Sequence, residues 1–335
     1  YFENENKKQA FKGNQLNLSS YSQIDSYPNN PLNISEPKTF RDINVISIEF
    51  IPFKYFPGER RLEVYNNVDI SITPEATVNE NQNTLYSRPF VKMYESIIPN
   101  FTRTEGIEYQ QPAILVIGGG NSLNNNDVED LLEWRHKQGY IIYTASTSET
   151  GTSNNSIKNY IQSAYDDFEP KPEFVTLLGD AGGSFNIPSF TESWSGYQGP
   201  GDNPYGLLDG NDQFPDVIVG RISAGNNSDM ETVVNKIIHY EKATYFNQMS
   251  TDWYERAALA GDPSASGVST IITNMYLNDM MDEYGVENVS TEYQNGWANF
   301  MENKLNEGTL FLNYRGYIGV SGFGGSNINN ANNGY

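Results

Sequence analysis

The chain has 335 residues, 37% of them hydrophobic and 13% aromatic, which is enough apolar side chain to pack two domains. Its 21 basic and 42 acidic residues leave a formal charge of −21 at pH 7. That balance argues against nucleic acid and anionic membranes as partners, and it attracts cations or basic peptide segments. There is no cysteine, which rules out disulfides and thiolate metal sites within this stretch, and no run of 18 apolar residues, so membrane insertion is not expected.

The chain opens on Tyr1-Phe2-Glu3 with neither a Met nor a signal-peptide pattern, and it closes on Asn332-Asn333-Gly334-Tyr335. It therefore reads as a fragment of a longer protein, with any secretion signal outside it. Residues 1–110 read as a β-rich domain. Val45 to Ile51, Arg61 to Tyr65 and Val68 to Ile72 alternate in the manner of strands, and Pro57-Gly58 and Asn66-Asn67 supply turns. No helical period appears there, and Thr77 to Gln111 is mixed sequence that contains a linker.

From Pro112 the pattern changes to alternating strands and helices, so residues 111–335 read as a second domain. Strands are expected at Ala113–Ile117, Tyr140–Tyr143, Phe174–Leu178, Asp216–Val219, Ala257–Ala260 and Thr309–Asn313. Between them, Val128, Leu131, Leu132 and Arg135 mark a helix over 127–138. Ile157, Tyr160, Ile161 and Ala164 mark another, with Ser153 as its N-cap. Ser228 and Glu231 have the spacing of a capping box opening a helix that runs to about Tyr245. Further helices are expected around 271–280 and 297–305, and the Asn/Gly-rich stretch Gly324 to Gly334 reads as loop. Continuous apolar strands alternating with helices predict an α/β fold, with a mostly parallel sheet covered on both faces. Such sheets place their sites at the carboxyl ends of the strands, here Gly118 to Asn121, Asp180, Asp262 and Asn313 to Tyr317.

Several groups carry candidate chemistry. Gly118-Gly119-Gly120 follows the first strand but lacks the spacing and the lysine of a phosphate-binding loop, so it reads as a tight turn. Asp180 ends a buried strand, where a carboxylate orients a catalytic group, binds a cation or satisfies a turn. Asp209, Asn211, Asp212 and Asp216 cluster around Gly210. Oxygen ligands this dense suit Ca²⁺, although the spacing is not that of an EF-hand and a solvated turn competes. His136 and His239 lie within helices, without an acidic partner at useful spacing, and read as structural or surface residues.

Two segments carry a resemblance. One runs from Asp202-Asn203-Pro204-Tyr205 through Leu207-Leu208-Asp209-Gly210-Asn211-Asp212 to Pro215-Asp216-Val217-Ile218-Val219-Gly220-Arg221. The other is Phe311-Leu312-Asn313-Tyr314-Arg315-Gly316-Tyr317. Together they resemble the gingipain family of cysteine peptidases. The resemblance implies a caspase-like three-layer α/β fold, a mostly parallel sheet with helices on both faces, behind a β-rich prosegment-like domain.

It also implies a secreted or cell-surface endopeptidase that attacks polypeptide substrates through a Cys thiolate and an acyl-enzyme. Asp180 ends an "L-x-G-D" strand similar to one near the family's active cleft. Asp202 and Tyr205 match the "S-D-x-x-Y" element beside its substrate pocket, except that Gly201 replaces the serine. An acidic residue there favours an Arg or Lys side chain in the substrate, and a purely structural role for Asp202 competes on at least equal terms. The family's structural calcium adds to the metal reading of Asp209, Asn211, Asp212 and Asp216.

Tyr317 stands where the "N-Y-x-G-H-G" run places the catalytic histidine, and the nucleophilic cysteine lies downstream of anything in this chain. A phenol titrates near 10 and is a poor general base at neutral pH, though it can donate to an oxyanion. Three readings compete: a variant peptidase whose dyad is completed elsewhere, a noncatalytic pseudopeptidase binding protein or glycan at a surface, and a core tyrosine under a shifted motif. The match of Asn313 to Gly316 argues against the shift. On any of them this fragment lacks the nucleophile and is expected to be inactive. Its oligomeric state is not legible.

Overall fold

The structure, a computed structural model, describes residues 25–71, 85–102, 106–194, 197–243, 251–294, 296–316, 318–319 and 322–323. The chain forms two compact units. The first is 1–109 together with 209–216, and the second is 110–208 together with 217–335.

In the first unit, short antiparallel ribbons pair locally. These are β1 (Leu32–Ile34) with β4 (Ile48–Phe50), β2 (Lys38–Phe40) with β3 (Ile43–Val45), and β5 (Phe53–Phe56) with β6 (Arg61–Val64). The single strand expected over Val45 to Ile51 is broken at Ile46-Ser47, because its two halves pair with different partners. Val68 to Ser71 alternates in sequence but forms no strand.

A helix that the sequence pattern did not reveal, α1 (Arg88–Ile97), carries Pro89 in its first turn, where a missing N–H costs nothing. It buries only Phe90, Val91 and Tyr94, too short an apolar pattern to show a helical period. Phe40 is 2% exposed and packs edge-on against Phe90 and Tyr94 at 5.9 and 5.0 Å between ring centroids. The Tyr94 hydroxyl donates to Phe40 O at 2.8 Å and accepts from the Asp42 amide at 3.2 Å. Burial pushes its pKa well above the usual tyrosine value.

Among the described residues the second unit holds two parallel sheets, where the sequence pattern suggested one. The first has the order β12 (Ile218–Ile222), β9 (Phe174–Leu178), β7 (Ala113–Gly118), β8 (Ile141–Ser146). Every residue of β7 is buried, and alternate side chains go to opposite faces. Leu115 and Ile117 join Ile157, Ile161, Ala164 and Tyr165 of α3 (Asn154–Asp167). Ile114 and Val116 join Val128 and Leu131 of α2 (Asn126–Lys137), and Met230 and Val234 of α4 (Asn227–Glu241). Truncating one of these core side chains to Ala costs about 2–5 kcal/mol.

Ser153 caps α3 as expected, accepting from the Ser156 amide at 3.1 Å. The cap of α4 is Asn226, not Ser228. Asn226 accepts from the Asp229 amide at 3.1 Å, and Ser228 falls inside the first turn, so the expected box does not form. A hairpin of β10 (Phe190–Trp194) and β11 (Tyr197–Gly201) follows β9 in sequence.

The second sheet has the order β14 (Asn288–Glu292), β13 (Arg256–Gly261), β15 (Phe311–Arg315), all parallel. Helices α5 (Val268–Glu283) and α6 (Trp297–Glu307) cover it. Neighbouring residues of β15 turn to different helices: Asn313 bonds to Asn274 of α5, and Tyr314 lies 4.9 Å from Trp297 of α6. The helices therefore lie on opposite faces. The class is α/β, as expected. Among the described residues no helix is long and apolar enough to cross a membrane.

Candidate active site

The turn after β7 is packed rather than open. The Gly119 amide bonds to Leu178 O at 3.0 Å and the Gly120 amide to Thr147 Oγ1 at 2.9 Å. A Cβ on Gly119 or Gly179 would lie 2.2 or 2.0 Å from Phe185 O. The loop after β9 covers the turn, and the Gly119 and Gly120 amides are already used.

Asp180, at the carboxyl end of β9, is exposed. Its Oδ1 accepts from the Ala181 amide at 2.7 Å and from Ser223 Oγ at 3.0 Å, which ties the ends of β9 and β12 together. The Asp180 amide bonds to Ala224 O at 3.1 Å.

Asp202 forms a two-pronged pair with Arg221, whose Nε and Nη2 each stand 2.7 Å from a carboxylate oxygen. The Arg221 Nη1 donates to Gly179 O and Ile187 O at 2.8 and 2.9 Å, and Ser189 Oγ donates to Asp202 at 3.0 Å. Both carboxylate oxygens thus serve the protein's own cation. Tyr205 is fully buried. Its hydroxyl donates to Pro188 O at 2.5 Å and its ring sits edge-on to Phe190 at 4.9 Å. Burial pushes its pKa up to about 12. Asp202, Tyr205 and Arg221 together hold residues 187–190 and 202–205 in place. Arg221 went unnoticed in the sequence because nothing about a strand arginine marks it as the partner of a carboxylate 19 positions earlier.

At the second sheet the structure accounts for Asn313, Tyr314 and Gly316 of the strand-end run. Asn313 Nδ2 donates to Asn274 Oδ1 at 2.9 Å, and Asn274 Nδ2 donates to Ala260 O and Thr270 O, each at 3.0 Å. Asn274 is fully buried, and all three of its polar functions are satisfied. It pins the end of β15 to the end of β13. The Asp262 amide adds a bond to Arg315 O at 2.9 Å. A side chain at Gly316 would meet Tyr314 Oη at 2.3 Å and Asp262 Cβ at 2.9 Å, so this position takes glycine for lack of space. Asp262 itself caps the turn that follows, accepting from the Ser264 amide at 3.0 Å. Asn274 was invisible to pattern reading because it is a polar residue on a helix face that packs inward. Tyr317, the residue expected to take the histidine's place, lies outside the described residues.

The acidic loop belongs to the first unit. Asp212 accepts from the Thr39 amide at 2.9 Å and the Phe214 amide at 2.8 Å. Asp216 accepts from the Arg41 amide at 3.1 Å and the Asp209 amide at 2.7 Å. These oxygens face N–H donors rather than one another. Among the described residues no group of three or more His, Asp or Glu side chains is placed to hold a metal. His136 and His239 sit in the last turns of α2 and α4.

The comparisons with known proteins agree with one another. Residues 107–335 match peptidase family C25, and residues 2–101 match the C25 propeptide. Gingipain R2 of Porphyromonas gingivalis is 24% identical over 328 residues, 92% of this chain and 42% of that protein. Lys-gingipain of the same species is 25% identical over 221 residues, 62% of this chain and 12% of that protein. The chain therefore spans less than half the length of these relatives.

Among solved structures, the crystal structure of the Arg specific cysteine proteinase gingipain R superimposes with a TM-score of 0.51 at 23% identity, covering 68% of this chain and 51% of that one. The complex of Porphyromonas gingivalis RgpB pro- and mature domains gives 0.52 at 23% identity, covering 63% and 49%. At that identity these two likenesses speak for the fold alone. The sequence match over 107–335, together with the strand-end run held by Asn274 and Asp262, settles the assignment: the chain belongs to peptidase family C25.

Proposed function

We propose that the protein containing this chain is a cysteine endopeptidase acting on polypeptides outside the cell or at its surface. In this reading the chain supplies the propeptide and the part of the peptidase that precedes the nucleophile. The observation that carries it is the family match over 107–335, reinforced by a strand end at which Asn313 bonds to Asn274 and Gly316 has no room for a side chain. With no cysteine, this chain lacks the thiolate and is inactive by itself.

In this reading Tyr317 takes the place of the family's catalytic histidine, beside the thiol of the longer protein. Asp180 supports that site from the first sheet. Asp202 and Tyr205 act on substrate binding through the loop they hold, since Asp202 is paired with Arg221 and Tyr205 is buried. A side chain at 317 that donates a hydrogen bond fits a role toward the oxyanion better than one as base.

The test is cleavage of Arg, Lys and small-residue peptide substrates by the full-length protein, with and without a thiol-alkylating reagent. Alkylation-sensitive cleavage is expected, with Tyr317→His changing its pH profile. No cleavage by folded, processed protein would transfer the assignment to a noncatalytic binding module, which Tyr317 in the histidine's place favours.

A further inference from the structure

Residues 209–216 are covalently continuous with Leu208 and Val217 of the second unit, yet they form part of the first. They are built into it by five specific contacts. The Thr39 amide donates to Asp212 and the Arg41 amide to Asp216. Arg41 Nη1 reaches Asp216 O at 2.5 Å. The Phe214 ring stacks on Phe40, with centroids 5.0 Å apart and 23° between planes. Lys38 Nζ stands 5.8 Å from the same ring.

The loop is shaped for this role. Gly210 takes φ +73°, and a Cβ there would crowd Asp212 and Thr39. Asp216 and Arg41 are 0% and 5% exposed, so the central bonds are shielded from water, where a charged acceptor is worth most.

We propose that residues 209–216 are the recognition strap that retains the N-terminal propeptide region on the protein when the chain is cut between residues 101 and 107. The partner is the edge formed by residues 38–41: two amides, one guanidinium and one aromatic ring. This assigns the acidic cluster to peptide recognition instead of metal binding. It rests on the propeptide and peptidase reading of the two matched regions.

The test uses the whole chain with residues 102–106 replaced by the recognition sequence of a site-specific protease. After cutting, the two pieces are followed by size exclusion and the Kd is measured by titration. Unsubstituted pieces are expected to co-elute at micromolar concentration. Asp212→Ala and Phe214→Ala, each made separately, are expected to raise Kd about tenfold or more while thermal melting of the second piece is unchanged. If Asp212→Ala prevents folding, Phe214→Ala gives the same reading through the ring contact. Separation of the unsubstituted pieces, or an unchanged Kd in a folded variant, overturns the proposal. The measurement needs no peptidase activity, so failure of the enzymatic reading appears in substrate cleavage and failure of the strap in Kd.

Discussion

Asp216 accepts the backbone N–H of Arg41 on one carboxylate oxygen and that of Asp209 on the other, at 3.1 and 2.7 Å, with its side chain fully buried. A buried carboxylate of this kind is stabilising only while its donors are present, because its oxygens have given up water for them. Asp216→Asn keeps the shape but turns an amide NH₂ toward one of the two donors. The expected loss is about 2–4 kcal/mol, seen as a lower urea midpoint with faster amide exchange at Arg41 and Asp209. An unchanged midpoint would show that the charge contributes nothing.

Arg221 uses its whole planar fork. Two nitrogens meet Asp202, and Nη1 meets Gly179 O and Ile187 O. A lysine places one point charge where three directed donors are needed. Arg221→Lys is expected to destabilise the fold by about 2–3 kcal/mol, measured as a fall in Tm. Asp202→Asn is expected to cost as much or more, because it leaves the Arg221 guanidinium without its counter-charge and turns an amide NH₂ toward one of its donors. A loss in Arg221→Lys with none in Asp202→Asn would point to packing of the arginine stem instead of pairing.

Asn274 holds β15 against β13 through Asn313 and Ala260. Asn274→Leu leaves the Asn313 amide and the Ala260 carbonyl without this partner in a buried place, at about 1–3 kcal/mol for each unsatisfied group. Asn274→Leu combined with Asn313→Leu replaces the side-chain pair by apolar groups, so it is expected to cost less than the sum of the two single changes. A double-mutant cycle on unfolding free energies measures the coupling, and strict additivity would deny the bond.

Tyr205 makes a pH prediction. Burial raises its pKa from the ordinary value near 10 to about 12. Below pH 10 the ring is neutral in both folded and unfolded chains, and its contribution is fully present. Between pH 10 and 12 the unfolded chain releases the proton while the folded one keeps it, so stability falls as pH rises through that window. Tyr205→Phe removes the hydroxyl and its bond to Pro188, and should flatten this alkaline loss at a cost of about 1 kcal/mol near neutrality. Urea midpoints taken from pH 8 to 12 decide it; parallel curves for the two proteins would mean that the phenol is not the titrating group.

The sequence by itself determined the classes of element and most of the second unit. Fully apolar runs such as Ala113–Ile117 are written for burial on both faces, and the spacing of Ile157, Ile161 and Ala164 is written for one helical stripe, so periodicity alone locates them. The motif around Asn313 to Gly316 also led to the right family. Tertiary structure decided what periodicity does not encode. The partner of Asp202 is a strand arginine, and the partner of Asn313 is an inward-facing asparagine on a helix. Asp212 and Asp216, whose neighbours in sequence suggest metal ligands, accept amides from residues 39 and 41, more than 170 positions earlier. A carboxylate's role depends on which donor folding brings to it, and that donor is set by a long-range contact that local spacing cannot express.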